Sequence, residues 1–138
     1  MPHSAWNLST PSTLAALAAA GIGVDFVALR GDRVVRIWAD GVLAGLLGST
    51  PAALLQRPAD EGLPPEAARA VRELLAGGVG ASPRVFDVML AAEGGAAARL
   101  RLALRRADLE GEPVVVRCYS RIQGPLALER ALQQSDRR

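Results

Sequence analysis

The chain has 138 residues, half of them hydrophobic, and a formal net charge of +2, which suits one ordered domain and is too short for two full cores. All 16 of its lysine-plus-arginine positions are arginine, so side-chain Schiff bases, lysine general bases and Walker-type phosphate loops are excluded. A single histidine, His3, and a single cysteine, Cys118, leave no material for a Ser-His-Asp triad, a multi-histidine metal site, an internal disulfide or a paired-cysteine motif.

In chain order, residues 1–12 read as a flexible N-terminus. Ser12 or Thr13 then caps a short alanine- and leucine-rich helix over about Thr13–Ala20, stopped by Gly21. Gly23–Leu29 and Val34–Trp38 read as two strands joined by the turn Arg30-Gly31-Asp32-Arg33. That turn accounts for the RGD triplet without any adhesive role. Asp40 caps a first helical piece at Leu43–Leu47. Ser49 or Thr50 caps a second, Ala52 to about Gln56, with Pro51 in its first turn where a missing N–H is not needed. Pro65 opens a longer helix to Leu75, with Ala67, Ala70, Val71, Leu74 and Leu75 on one face. Three strands follow. They are Arg84–Ala92, the alternating Arg99–Arg105 with leucines on one face and arginines on the other, and Val114–Ile122. Gly124-Pro125 precedes a polar exit helix, Leu126–Gln134.

This order predicts an α+β domain, a five-stranded antiparallel sheet with short helices covering one face. With the leucine-bearing face inward, the sheet side of the interior is expected to be Phe26, Ala28, Val35, Ile37, Phe86, Val88, Leu90, Leu100, Leu102, Leu104, Val114, Val116 and Cys118. Leu43, Leu47, Leu54 and Leu74 approach it from the helices, with Asp40, Ser49, Thr50 and Ser120 as polar neighbours. Two readings of this set stand open: a filled core, or a small cavity for an apolar ligand with few polar anchors. Aromatic residues make up only 4% of the chain, which favours an aliphatic ligand over a flat, stacked cofactor. Asp25 and Asp87 alternate with apolar neighbours and are expected to face water, leaving an enzyme without a placed acid–base pair.

The run Ala44-Gly45-Leu46-Leu47-Gly48-Ser49-Thr50-Pro51-Ala52-Ala53-Leu54-Leu55-Gln56-Arg57-Pro58 resembles a segment of the PAS domain family, in which a hairpin ends in asparagine and leads into an a-x-x-L-L-G-y-s-p-e-e-L-l-G-r-p pattern. Asp40 stands at the asparagine position and Gln56 at the second glycine. The similarity spans about Leu17 to Gln123. It implies a PAS-like domain over residues 13–123 and a linker over residues 124–138 that leads to an effector. Arg121-Ile122-Gln123 departs from the Asp-Ile-Thr-like triplet that often ends the last strand. The segment Pro65–Gly78 has neither the reactive-cysteine motif of the light-sensing branch nor a histidine, so the expectation is against both flavin and haem.

The resemblance implies a sensory or regulatory module of a longer signalling protein, such as a histidine kinase, cyclic-di-GMP enzyme or transcription regulator. The module would bind a small apolar ligand or a partner and relay the change through a dimer and the exit helix. The competing expectation is a ligand-free interaction module with a filled core. A homodimer is expected through the N-terminal helix (Leu14, Leu17) or an outer sheet face carrying Val115 and Tyr119, where Arg117 and Arg121 would be solvated. No apolar run approaches the roughly 18–20 residues of a membrane span. The N-terminus lacks a basic signal region, and the charge gives no argument for nucleic acid. A cytoplasmic location is the resulting expectation.

Overall fold

The computed structural model describes residues 11–77, 84–92, 95 and 97–122. Helix α1 (Pro11–Ala19) leads into strands β1 (Gly23–Arg30) and β2 (Arg33–Ala39), then helices α2 (Gly41–Leu46), α3 (Pro51–Leu55) and α4 (Pro65–Leu75). Strands β3 (Arg84–Ala91), β4 (Ala97–Leu109) and β5 (Glu112–Arg121) complete the order. The five strands form one sheet in the order β2-β1-β5-β4-β3, each pair antiparallel. The expected α+β class and its sheet are therefore present. The expected exit helix Leu126–Gln134 lies outside the described residues.

The helix boundaries follow local chemistry. Asp40 Oδ1 accepts from the N–H of Leu43 at 2.8 Å, capping α2, and also from the N–H of Val24 at 3.1 Å, which ties that helix start to β1. Thr50 caps α3 through the N–H of Ala53 at 3.1 Å, with Pro51 in the first turn. Residue 23 has to be glycine for α2 to sit this close to β1, because a Cβ there would lie 2.7 Å from the Cα of Leu43. In α4, Ala67, Ala70, Val71, Leu74 and Leu75 are all buried, as their spacing predicts.

Helices α2, α3 and α4 cover one face of the sheet. Leu43, Leu47, Leu54, Leu74, Val88, Leu90, Leu100, Leu102 and Leu104 meet there in a single core, with Phe86 packed against it. Helix α1 lies on the other face, where Leu14 and Leu17 pack on Val24, Phe26 and Val116.

This two-sided covering reverses part of the expected facing. Phe26, Ile37, Val116 and Cys118, expected beneath the central helices, belong to the α1 side. Ala28 and Val35 pair with each other and alternate with Val27 and Val34, which face the helices, so they too lie on the α1 side. Conversely, Val115 and Tyr119, expected on the outer dimer face, are buried in the core beneath the helices. Asp25 and Arg117, expected in water, are fully buried.

The reason is geometric. Strands β1 and β5 occupy the middle of the sheet with both faces covered, so residues 23–28 are buried without alternation. A register shift between Phe26 and Val27 further changes the phase of β2 against β1. Which face a buried charge takes is then decided by whether it finds partners.

Candidate functional site

The helix-facing side of β1, β2 and β5 carries a compact polar network. Asp25 on β1 is its hub. Its Oδ1 accepts from Arg117 Nε at 2.7 Å, and its Oδ2 accepts from Arg117 Nη2 at 2.7 Å, Arg36 Nε at 2.7 Å and the Tyr119 hydroxyl at 3.1 Å. Cross-strand register brings these groups together: Asp25 pairs directly with Arg117, and Val27, two residues on, pairs with Arg36. The Arg117–carboxylate contact is bidentate, the strong and directional form of this interaction.

Both arginines also reach across to backbone carbonyls, Arg36 to the end of α3 and the residues just after it and Arg117 to the segment between α3 and α4. Arg117 Nη1 donates to the carbonyl of Ala59 at 2.8 Å, and Arg36 Nη1 donates to the carbonyls of Leu54 at 2.7 Å and Arg57 at 3.4 Å. The Arg117 guanidinium lies 5.8 Å from the centroid of the Tyr119 ring. The side chains of Asp25 and Arg117 are 0% exposed and that of Arg36 is 8% exposed, so these charges are satisfied by one another and by the backbone rather than by water.

Burial by itself raises the Asp25 carboxyl. The facing guanidiniums of Arg117 and Arg36 outweigh it and hold the group below the ordinary aspartate value. Burial would likewise weaken the charged form of Arg117, but Asp25 overrides it and the guanidinium is more firmly protonated than usual. The Tyr119 phenol is pushed well above its usual range, first by burial, so it stays a hydrogen-bond donor. Cys118, on the opposite face, has its thiol pushed up to about 11, mainly by burial, which suits an inert packing role and not a redox thiol.

The network has permanent charges and saturated acceptors. Asp25 is inward, as a catalytic carboxylate would be, but its oxygens already accept four hydrogen bonds. Neither it nor Tyr119 titrates near neutrality, so the arrangement anchors and orients rather than transfers protons. Asp87, the other acid considered, is an exposed partner of Arg101 at 3.3 Å.

Of the residues expected to line the interior, Leu43, Leu47, Leu54, Leu74, Phe86, Val88, Leu90, Leu100 and Leu102 converge, and Asp40 sits at the α2 corner as a cap. Phe26, Ala28, Val35, Ile37, Val116 and Cys118 do not join them. Asp25, Arg36 and Arg117 were missed as interior groups. A signal for them does exist: Val24-Asp25-Phe26 and Val116-Arg117-Cys118 each set one charge inside an apolar strand, and two such lone charges of opposite sign call for each other.

Comparison with solved structures identifies the fold as that of PAS domains. A light-oxygen-voltage domain solved in a study of a flavin analogue matches with a TM-score of 0.65 at 12% identity, over 95% of this chain and 98% of that one. The PAS domain of an HTR-like protein from Haloarcula marismortui gives 0.61 at 20% identity, over 83% and 98%. The PAS domain of the fruit-fly ELK potassium channel gives 0.59 at 9% identity, over 82% and 96%. A blue-light activated histidine kinase of Erythrobacter litoralis matches with 0.53 at 12% identity, where 84% of this chain spans 38% of the kinase. No protein-family model matches the chain, and neither does any curated protein. Among the described residues, no helix is long and apolar enough to cross a membrane.

Proposed function

We propose that this chain is a PAS-type regulatory module of a signalling protein that works by contact with a partner, its sheet–helix interior filled by its own side chains rather than by a ligand. The observation that carries this reading is the Asp25–Arg36–Arg117–Tyr119 network beneath α3 and the segment after it. An aliphatic molecule entering there would separate two guanidiniums from their carboxylate and from three backbone carbonyls. Stripping a buried ion of its partner costs about 3–5 kcal/mol, more than a small apolar ligand readily returns.

The partner this reading favours is a second copy of the chain. Val85 and Met89 are 53% and 58% exposed on the sheet face opposite the central helices, either side of Asp87, with Arg99 and Arg101 alongside on β4. Helix α1 packs on Val24, Phe26 and Val116 of the same face, and β3 lies at the sheet's edge away from them. Residues 124–138 would then connect the domain to an effector, with a histidine kinase as one class compatible with the structural neighbours.

Native mass spectrometry of freshly purified protein tests both parts. The expected result is a dimer at twice the apo mass that Met89→Glu converts to monomer. A stoichiometric co-purified small molecule would overturn the filled interior, and a monomeric wild type would overturn the second copy as partner.

A further inference from the structure

The segment from Ser49 to Leu63 differs from the rest of the helix layer in how it is held. Its fully or nearly fully buried apolar side chains are Leu54 and Ala59. Much of its attachment is polar and comes from the sheet: Arg36 to the Leu54 and Arg57 carbonyls, and Arg117 to the Ala59 carbonyl. Its own Arg57 returns a bond from Nη2 to the Ala91 carbonyl on β3 at 3.0 Å. Among the described residues, the two buried side-chain polar atoms without a hydrogen-bond partner, Ser49 Oγ and Asp60 Oδ1, both lie in this segment, near its two ends. Both would gain water if it lifted. Glycines in the left-handed region stand at both ends, Gly48 just before it with φ 64° and Gly62 as its next-to-last residue with φ 78°. These positions absorb a change of chain direction that other residues resist.

We propose that residues 49–63 form a hinged lid, latched shut by Arg36 and Arg117 through the hub carboxylate of Asp25, which lifts and unwinds as one unit while the sheet stays folded. Asp25 holds both guanidiniums at the height from which they reach the lid carbonyls. A short segment with few buried apolar anchors and sheet-borne polar ties is the kind of unit that opens below the global unfolding free energy. This inference concerns how one segment moves, and it stands or falls separately from self-association of the domain.

Hydrogen exchange of the full chain, read by mass spectrometry or NMR, tests it on the wild type. The amides of Leu54, Gln56, Arg57, Glu61 and Leu63, each bonded within the lid, are expected to exchange together and much faster than the β4–β5 amides, at a rate insensitive to low urea. In Arg36→Gln, which removes one latch and leaves the Asp25–Arg117 pair, exchange of those same amides should rise by about tenfold and stay well ahead of the β4–β5 amides. Exchange of the lid amides at the same rate as the sheet in wild type would overturn the proposal. So would an Arg36→Gln variant whose lid amides exchange no faster than in wild type.

Discussion

Replacing Asp25 with alanine is expected to lower the unfolding free energy by about 3–5 kcal/mol, a large share of what holds a domain of this size together. The loss comes from what remains behind. Arg117 is fully buried and Arg36 nearly so, and without Asp25 they face each other across the hub with only carbonyl partners. The Tyr119 hydroxyl loses its acceptor as well. The control is Asp87→Ala, which removes an exposed ion pair with Arg101 and should cost about 0–1 kcal/mol. Urea unfolding followed by circular dichroism separates the two. Formate, which can occupy the vacated carboxylate position, should raise the Asp25→Ala midpoint more than equal chloride does. An Asp25→Ala protein within about 1 kcal/mol of wild type would mean that the carboxylate is not the hub.

The second large effect is at low pH. The folded Asp25 carboxyl titrates below its ordinary value of 3.8, because two guanidiniums outweigh the burial that would raise it. Between the folded and unfolded values the unfolded chain binds more protons, so stability falls as pH falls. The contribution of Asp25 is therefore complete above about pH 5, starts to fade as pH drops through the unfolded value, and is gone below the folded one. At the other end, the Tyr119 phenol is raised above its ordinary 10.0, so its contribution is present below that value and lost as pH rises through the folded one. The stability difference between wild type and Asp25→Asn should be flat from about pH 5 to pH 9 and shrink steadily below pH 4. A difference that keeps its neutral-pH size down to about pH 2 would contradict a depressed carboxyl in the folded state.

How far the sequence reveals this molecule depends on how each strand is covered. Strand β4 was legible because its leucines and arginines alternate and only one face meets the core, so Leu100, Leu102 and Leu104 point where their spacing says. The caps were legible for the same local reason: Asp40 and Thr50 each stand three residues before the backbone N–H they accept from. Strands β1 and β5 were not, since α1 covers one face and the central helices the other, and apolar residues on both faces erase the period. A register shift beside Phe26 added a phase change that spacing alone cannot locate.

Grouping was nonetheless correct where facing failed. Val115, Arg117 and Tyr119 do share one side of β5, but it is the inner one, because Arg117 and Tyr119 find Asp25 there. A charge usually signals the solvent side, and here mutual satisfaction over 92 residues of sequence separation overrides that preference. The polar part of the site was hidden by a long-range pairing, whereas its leucine wall was written in local periodicity.

A charged hub of Asp25, Arg36 and Arg117 joins the middle of the sheet to the segment above it. A double-mutant cycle on Asp25→Asn and Arg117→Met, by urea unfolding at neutral pH, tests it most directly. The expected result is a coupling energy of about 2–3 kcal/mol, with the double variant more stable than the sum of the single losses implies. Additive losses, with coupling under about 0.5 kcal/mol, would mean the two side chains do not share a buried pair and would contradict the account.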